Sequence, residues 1–407
     1  MERRSRGIEH RINLIVAERA TRSAASGNGK KAGRDLGSLR RHRRSRQQAM
    51  RRAAAAAALV TVAMFGGQTS PVHAAKQSAK PDTSKSETSP LTIRARPLSG
   101  FSRADGSRVR FGALEWRGGV VLTSDDARFG GWSGLAIDKD GKRLLAVSDA
   151  GTWLAADLTY SAGRLAGIEN ARLGPLKARD GGRLKRDRDR DAEAMVIVDG
   201  SLSRGRVMIA FEQNHRIGAF DVTAGAIGAP ASYLAIPSEA RRMRSLKGFE
   251  ALTMLRGGRW RGGLLALAER LPDTKGRHSG WIMARGKNHR LAIEDIGGFD
   301  LTDAIGLPSG DVVILERRFR WLEGVKMRLR RFKVADIAPG AVLSGEVLLE
   351  ADMTFEIDNM EALSAHRDAN GDTILTILSD DNFNGFLQRT LLLQFALPGE
   401  RREARGD

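Results

Sequence analysis

From Arg108 onward the chain alternates short apolar runs with polar, glycine-bearing turns, a pattern of strands rather than of long helices. Five stretches repeat it. They open at Trp132-Ser133-Gly134-Leu135-Ala136, Asp191-Ala192-Glu193-Ala194-Met195, Gly248-Phe249-Glu250-Ala251-Leu252, Leu301-Thr302-Asp303-Ala304-Ile305 and Asn359-Met360-Glu361-Ala362-Leu363. With the large apolar residue at 135, 195, 252, 305 and 363 as marker, the intervals are 60, 57, 53 and 58 residues. Each opening leads through a turn (Asp140-Gly141, Asp199-Gly200, Gly257-Gly258, Ser309-Gly310, Asn370-Gly371) into a second apolar run, which is a hairpin signal. Further alternating pieces follow, such as Arg216 to Val222 and Gly280 to Ala284, so each repeat holds about four strands, the content of a propeller blade.

A propeller must close its ring. The last run, Thr390 to Leu397, has no following strand, and Arg108 to Thr123 precedes the first repeat unpaired. The pattern therefore predicts an all-β fold, a β-propeller of six four-stranded blades: five full repeats and one composite blade closed between N- and C-terminal strands. Five blades or a looser barrel-like sandwich are the alternatives.

Composition narrows the chemistry. The 407 residues are 41% hydrophobic and 28% charged, enough for a packed core, and there is no cysteine, hence no disulfide, thiolate metal site or cysteine nucleophile. The formal charge of +19 is unevenly spread: residues 1–49 carry +10, and the chain from Ala75 onward only +7. After Met50 the text reads as a secretory signal, with Arg51-Arg52, the apolar run Ala53 to Phe65 and a Val72-His73-Ala74 cleavage pattern. The domain expectation is a basic extension at 1–49 that lies upstream of a start at Met50, a signal peptide at 50–74, a flexible linker at 75–95, the propeller at 96–399 and a charged tail at 400–407. The rival reading of the first segment is a genuine arginine-rich arm or a twin-arginine export signal. The expected location is periplasmic or secreted. The 13-residue apolar run falls short of the roughly 20 residues a spanning helix needs, so no integral membrane segment is expected after signal cleavage. The interleaving of Arg with acids, with few aromatics, argues against a nucleic-acid partner.

The Asp-Ala-Glu-Ala-Met opening of the second repeat, its Phe211-Glu212-Gln213-Asn214-His215-Arg216-Ile217 ending, and Ser379-Asp380-Asp381-Asn382-Phe383 with Gln388-Arg389-Thr390-Leu391-Leu392 resemble the bacterial phytase-like domain proteins. These are described as having esterase-like activity of phytase. The resemblance covers about residues 100 to 397. It implies an exported β-propeller and a calcium-assisted hydrolase of phosphate esters or other esters, with a small-molecule ester as partner. The alternative is a non-catalytic periplasmic propeller that binds a ligand or a protein.

The repeats carry acids at fixed places. Every second run ends in a carboxylate (Asp149, Glu212, Glu269, Glu316, and Asp380 with Asp381), and four openings contain one (Glu193, Glu250, Asp303, Glu361). Inner strands of a propeller line its channel, so such residues converge although about 57 positions separate them. Ca²⁺ takes six to eight oxygen ligands, which makes Glu193, Glu212, Glu250, Glu269, Glu361 and Asp380 the candidate metal ligands. Neighbouring cations, Arg270, Arg317 and Arg389, suit a phosphate, and His215 is the candidate proton-transfer group. The structural reading of each acid is a backbone acceptor or an ion-pair partner that holds blades in register. Gly134 and the shorter Asp303 interrupt the ring, so the site is expected to be lopsided. Gly131-Trp132-Ser133-Gly134 fails as a nucleophile elbow at Leu135, and Asp187, Asp189 and Asp191 fail as a calcium loop at Ala192 and Val198.

Overall fold

The computed structural model describes residues 87–243, 248–269 and 271–398. The extension, the signal, residues 75–86 of the expected linker and the tail from 400 lie outside them. The rest of that linker is not loose chain. Ser89–Pro90 pairs with Leu173 and Arg172, and Arg94–Pro97 pairs antiparallel with Val120 to Thr123, so strand pairing begins before residue 96.

The fold is a β-propeller of four-stranded antiparallel units. Blade 1 runs Trp132–Ile137, Arg143–Ser148, Thr152–Ser161, Arg164–Pro175. Blade 2 runs Ala192–Gly200, Arg204–Phe211, Arg216–Thr223, Ala226–Tyr233. Blade 3 runs Phe249–Met254, Leu264–Ala268, His278–Ala284, Lys287–Ile293, with Val342–Leu343 added in parallel at its edge. Blade 4 runs Asp300–Gly306, Val312–Arg320, Gly324–Phe332, Glu346–Ala351. Blade 5 runs Asn359–Arg367, Thr373–Asp380, Thr390–Leu397, and its fourth strand is Leu114–Thr123 from the other end of the domain. The first strands of the blades contact one another in cyclic order, blade 5 returning to blade 1.

The expected closure between terminal strands is therefore present, with Thr390 opposite Leu122 and Ala396 opposite Glu115. Among the described residues the ring closes on five blades, the alternative to the six expected. The fifth repeat has only three strands of its own, and the N-terminal strand fills its outer place instead of founding another sheet. Blade 5 also touches blade 1 through a single parallel bridge, Gly118 to Leu165. There Gly118 has φ +102°, and a Cβ would stand 2.8 Å from the Leu165 backbone, so the approach requires glycine.

Five apolar clusters fill the five spaces between neighbouring blades. Trp153 of blade 1 packs in one with Phe211 and Phe220 of blade 2, Phe249 and Trp281 of blade 3 in the next with Ile217 of blade 2, and Trp260 and Phe332 in the blade 3–4 space. Phe395 and Trp116 of blade 5 meet Leu315 and Leu329 of blade 4, and Val120 and Leu392 meet Trp132 and Leu154 of blade 1. Because apolar burial lies between blades, the axis of the ring is left for polar side chains.

Candidate metal centre at the acidic mouth

Each inner strand slips register against its neighbour at the same point. The pairing skips from Trp132 to Gly134, Ala192 to Ala194, Phe249 to Ala251, Leu301 to Asp303 and Met360 to Ala362. The extra residue is thus Ser133, Glu193, Glu250, Thr302 or Glu361. A bulge bends the strand and re-aims a side chain, and here it does so five times at one end of the ring. Directly across, the second strands deliver Asp149, Glu212, Glu269, Arg317 and Asp380. Backbone bonds hold these ends: Asp149 N–H donates to Gly131 O (2.9 Å), Glu212 N–H to Asp191 O (2.8 Å) and Glu269 N–H to Gly248 O (3.3 Å), while Arg317 pairs with Asp300 and Asp380 with Asn359. Across these three positions per blade stand nine carboxylates and one cation, Arg317.

The acids are close enough to share an ion. One carboxylate oxygen from each of Asp191, Glu193 and Glu212 lies within 4.8 Å of the others, and the same holds for Glu212, Glu250 and Glu269. Glu212 is common to both groups. Burial first, then the charges of Glu250, Asp191, Asp149 and Glu212, push the Glu193 carboxyl well above its usual range. Asp380 is pushed up in the same direction by burial, then by Asp149, Glu361 and Asp381, against a backbone hydrogen bond from Asn382. Burial opposes the charge on Arg317, but Glu361, Glu269, Asp300 and Glu250 outweigh it and hold its pKa above the ordinary value. Its Nη2 lies 3.3 Å from Glu361 Oε1, and its Nη1 donates to Asn359 Oδ1.

These electrostatic contacts bring Glu193, Glu212, Glu250, Glu269, Glu361, Asp380 and Arg317 to one mouth. Other expectations are corrected. Asp303 is not the blade 4 counterpart of the bulge glutamates; Thr302 is. Asp303 occupies the place of Gly134, Ala194, Ala251 and Ala362, faces the neighbouring blade, and accepts from Ala304 N–H (2.8 Å) and from Leu363 N–H of blade 5 (2.7 Å). Gly134 likewise belongs to that small-residue position, and the interruption in blade 1 is Ser133.

Glu316 leaves the ring as well. It is fully buried and bonded to Arg328 and Arg330 (Arg328 Nε to Oε2, 2.7 Å; Arg330 Nε to Oε2, 2.8 Å), one residue before the ring position that Arg317 takes. Arg389 is held by Glu356 (Nη1 to Oε2, 2.7 Å) and Ile357 O (3.2 Å), with Asp358 at 3.6 Å, and is not brought into the acidic set. His215 is half-buried in the turn between Arg204–Phe211 and Arg216–Thr223, three residues beyond Glu212. Arg270 lies outside the described residues. Four polar members were not singled out as ligands from sequence: Asp149, Asp191, Asp300 and Asn359. The available signal was the acid-x-acid spacing of Asp191-x-Glu193, repeated in weaker form as Asp300-x-Thr302 and Asn359-x-Glu361.

The profile of a family described as "Phytase-like: Esterase-like activity of phytase" matches residues 127–383, which span all five inner strands and every member of the acidic mouth. The chain belongs to the phytase-like family. No curated protein matches this phytase-like chain. Among solved structures it is similar to the β-propeller domain of Myceliophteria thermophila Cps50 (Swd1), at 10% identity and TM-score 0.33, over 76% of this chain and 99% of that one. At that score the likeness carries no weight, and the propeller assignment of the phytase-like domain rests on its own sheet topology.

Proposed function

We propose that the acidic mouth binds one or more Ca²⁺ ions and that the protein is an exported hydrolase of phosphate esters or other esters. The observation that carries this reading is the pair of carboxylate groups sharing Glu212, with oxygens within 4.8 Å of one another. Such a set is costly to keep ionised without a cation, and its all-oxygen donors suit a hard divalent ion. Asp191, Glu193, Glu212, Glu250 and Glu269 would hold the metal. Bound Ca²⁺ would supply Lewis-acid polarisation of the ester and a more acidic water.

The chain's own residues supply the rest. Arg317, fixed at the mouth by Glu361 and Asn359, offers its guanidinium to a phosphoryl oxygen. Hydrolysis adds water to phosphorus and breaks the ester P–O bond; the leaving alcohol takes a proton. His215, on the rim after Glu212, is proposed to relay that proton. Export is proposed from the residue 50–74 pattern, and an extracytoplasmic location would supply millimolar-range calcium to a site of modest affinity.

The test is melting of the wild type and of the double variant Glu193→Gln/Glu250→Gln in calcium and in chelator, beside turnover of an aryl phosphate and an aryl ester. A calcium-raised melting temperature and turnover, both lost in the variant, are expected. Wild type that shows neither is the non-catalytic binding propeller, and the hydrolase reading falls.

A further inference from the structure

The two ends of the inner strands differ in charge. Their N-terminal ends carry the acids; their C-terminal ends open on a separate cavity of about 510 Å³ that all five blades line. Six-residue strands such as Trp132–Ile137 put roughly 20 Å between the ends. Four cations, Lys139, Arg256, Arg261 and Arg367, line this second mouth against two acids, Asp138 and Asp199. Asp138 is partly occupied, since its Oδ1 accepts from Leu202 N–H at 2.7 Å.

Arg256 is the informative residue. Its guanidinium donates from Nε to Gly306 O (3.0 Å), and among the described residues it has neither a second hydrogen bond nor an ion pair. Burial lowers its pKa. A half-buried arginine that desolvates without a counter-charge is costly, and an incoming anion is the partner that would offset the cost. Buried His366 also lines the cavity, and its Nδ1 has no hydrogen-bond partner among the described residues. Apolar walls complete the cavity, including Ile197, Met254 and Pro308. Mixed apolar walls with a few convergent polar groups are the usual make-up of a small-molecule site.

We infer that this basic mouth is a second ligand site, one that takes a small organic dianion with an apolar body. It is independent of the acidic mouth and of the hydrolase reading. Its charge selects phosphoryl or dicarboxylate groups, and its walls select against bare inorganic anions.

Isothermal titration of the full-length protein in chelator isolates this site, because the acidic mouth repels anions when calcium is withheld. Phenylphosphonate and phthalate serve as probes and distinguish phosphoryl from dicarboxylate recognition; benzyl alcohol is the neutral control. One equivalent of at least one dianion is expected to bind, about tenfold more weakly in Arg256→Gln, the loss of roughly one charge-assisted hydrogen bond. Arg261→Gln, at an exposed position that does not threaten folding, is expected to weaken binding about threefold, and Glu212→Gln at the opposite mouth to leave it unchanged. The inference is overturned if neither dianion binds, if benzyl alcohol binds as well as they do, if both arginine variants bind like wild type, or if Glu212→Gln abolishes binding.

Discussion

Arg317 of blade 4 reaches across the blade junction to Glu361 of blade 5, Nη2 to Oε1 at 3.3 Å, and is the single cation at the positions that form the acidic mouth. In the other four blades the same second-strand position is Asp149, Glu212, Glu269 or Asp380. The substitution of a cation for an acid at this one place both offsets part of the repulsion and gives the mouth a directional anion contact. Arg317→Gln removes both. In chelator this variant is expected to melt below wild type, and in calcium to show a larger upward shift. Aryl-phosphate turnover should fall about 100-fold, the scale of losing one preorganised donor. Equal turnover in the two proteins would remove Arg317 from substrate binding.

The raised pKa values of Glu193 and Asp380 set a pH dependence whose sign is opposite to the usual acid-pair case. A carboxyl that holds its proton more tightly when folded contributes full stability below its unfolded value, near 4.5 for Glu, and loses it as pH rises through the folded value. The metal-free protein should thus lose stability as pH rises above the unfolded carboxyl value. His366 works the other way: burial lowers its pKa from 6.5 to about 4, so stability falls as pH drops through that interval. Comparison in a His366→Gln background separates the two, and added calcium should abolish the loss with rising pH. Differential scanning calorimetry across pH 5–8, with and without calcium, checks both signs; a metal-free melting temperature that rises with pH in the His366→Gln protein would contradict the assignment.

The ring of acids was legible in the repeats because a propeller turns a 57-residue spacing into adjacency, and Glu193, Glu212, Glu250, Glu269, Glu361 and Asp380 all reach the mouth. Blade 4 was not legible. Its sequence Leu301-Thr302-Asp303 can be aligned one residue either way, and only the bulge settles that Thr302 and not Asp303 shares the position of Glu193. The same one-residue ambiguity exchanges Glu316 for Arg317, since a strand sends neighbours to opposite faces. The choice between five and six blades was open in the sequence for a related reason: alternation marks a strand at Arg108 to Thr123 but does not say whose sheet it completes. The basic mouth was invisible because its cations stand at different offsets in each repeat and converge only through the closed ring.

Glu316 tests the distinction between ring and core. It lies between Arg328 and Arg330 with its side chain fully buried, as is that of Arg330. Glu316→Ala leaves two arginines without their shared carboxylate, a change expected to cost about 3–5 kcal/mol. Calcium should still raise the melting temperature of the variant by the wild-type increment. A lost calcium increment with an unchanged baseline would return Glu316 to the metal site.

Closure of blade 5 by strands from both ends of the domain fixes the last prediction. Thr390–Leu397 pairs with Thr373–Asp380 on one side and with Leu114–Thr123 on the other, and its residues are all buried. Phe395 and Leu393 stack into the blade 4–5 cluster with Trp116, while Leu392 packs into the blade 5–1 cluster. Truncation after Arg389 therefore removes the centre of a sheet and opens two unpaired edges, besides taking apolar side chains out of two of the interblade cores. Exposed edges of apolar strands pair with other chains, so the product should aggregate. A milder variant separates edge from core: Leu393→Ala leaves the backbone ladder intact and should cost about 2–5 kcal/mol through the cavity alone, with the protein still monomeric by light scattering. If the truncated chain instead melts cooperatively at the wild-type temperature and remains monomeric, the ring does not depend on its terminal strand and the closure described for blade 5 is wrong.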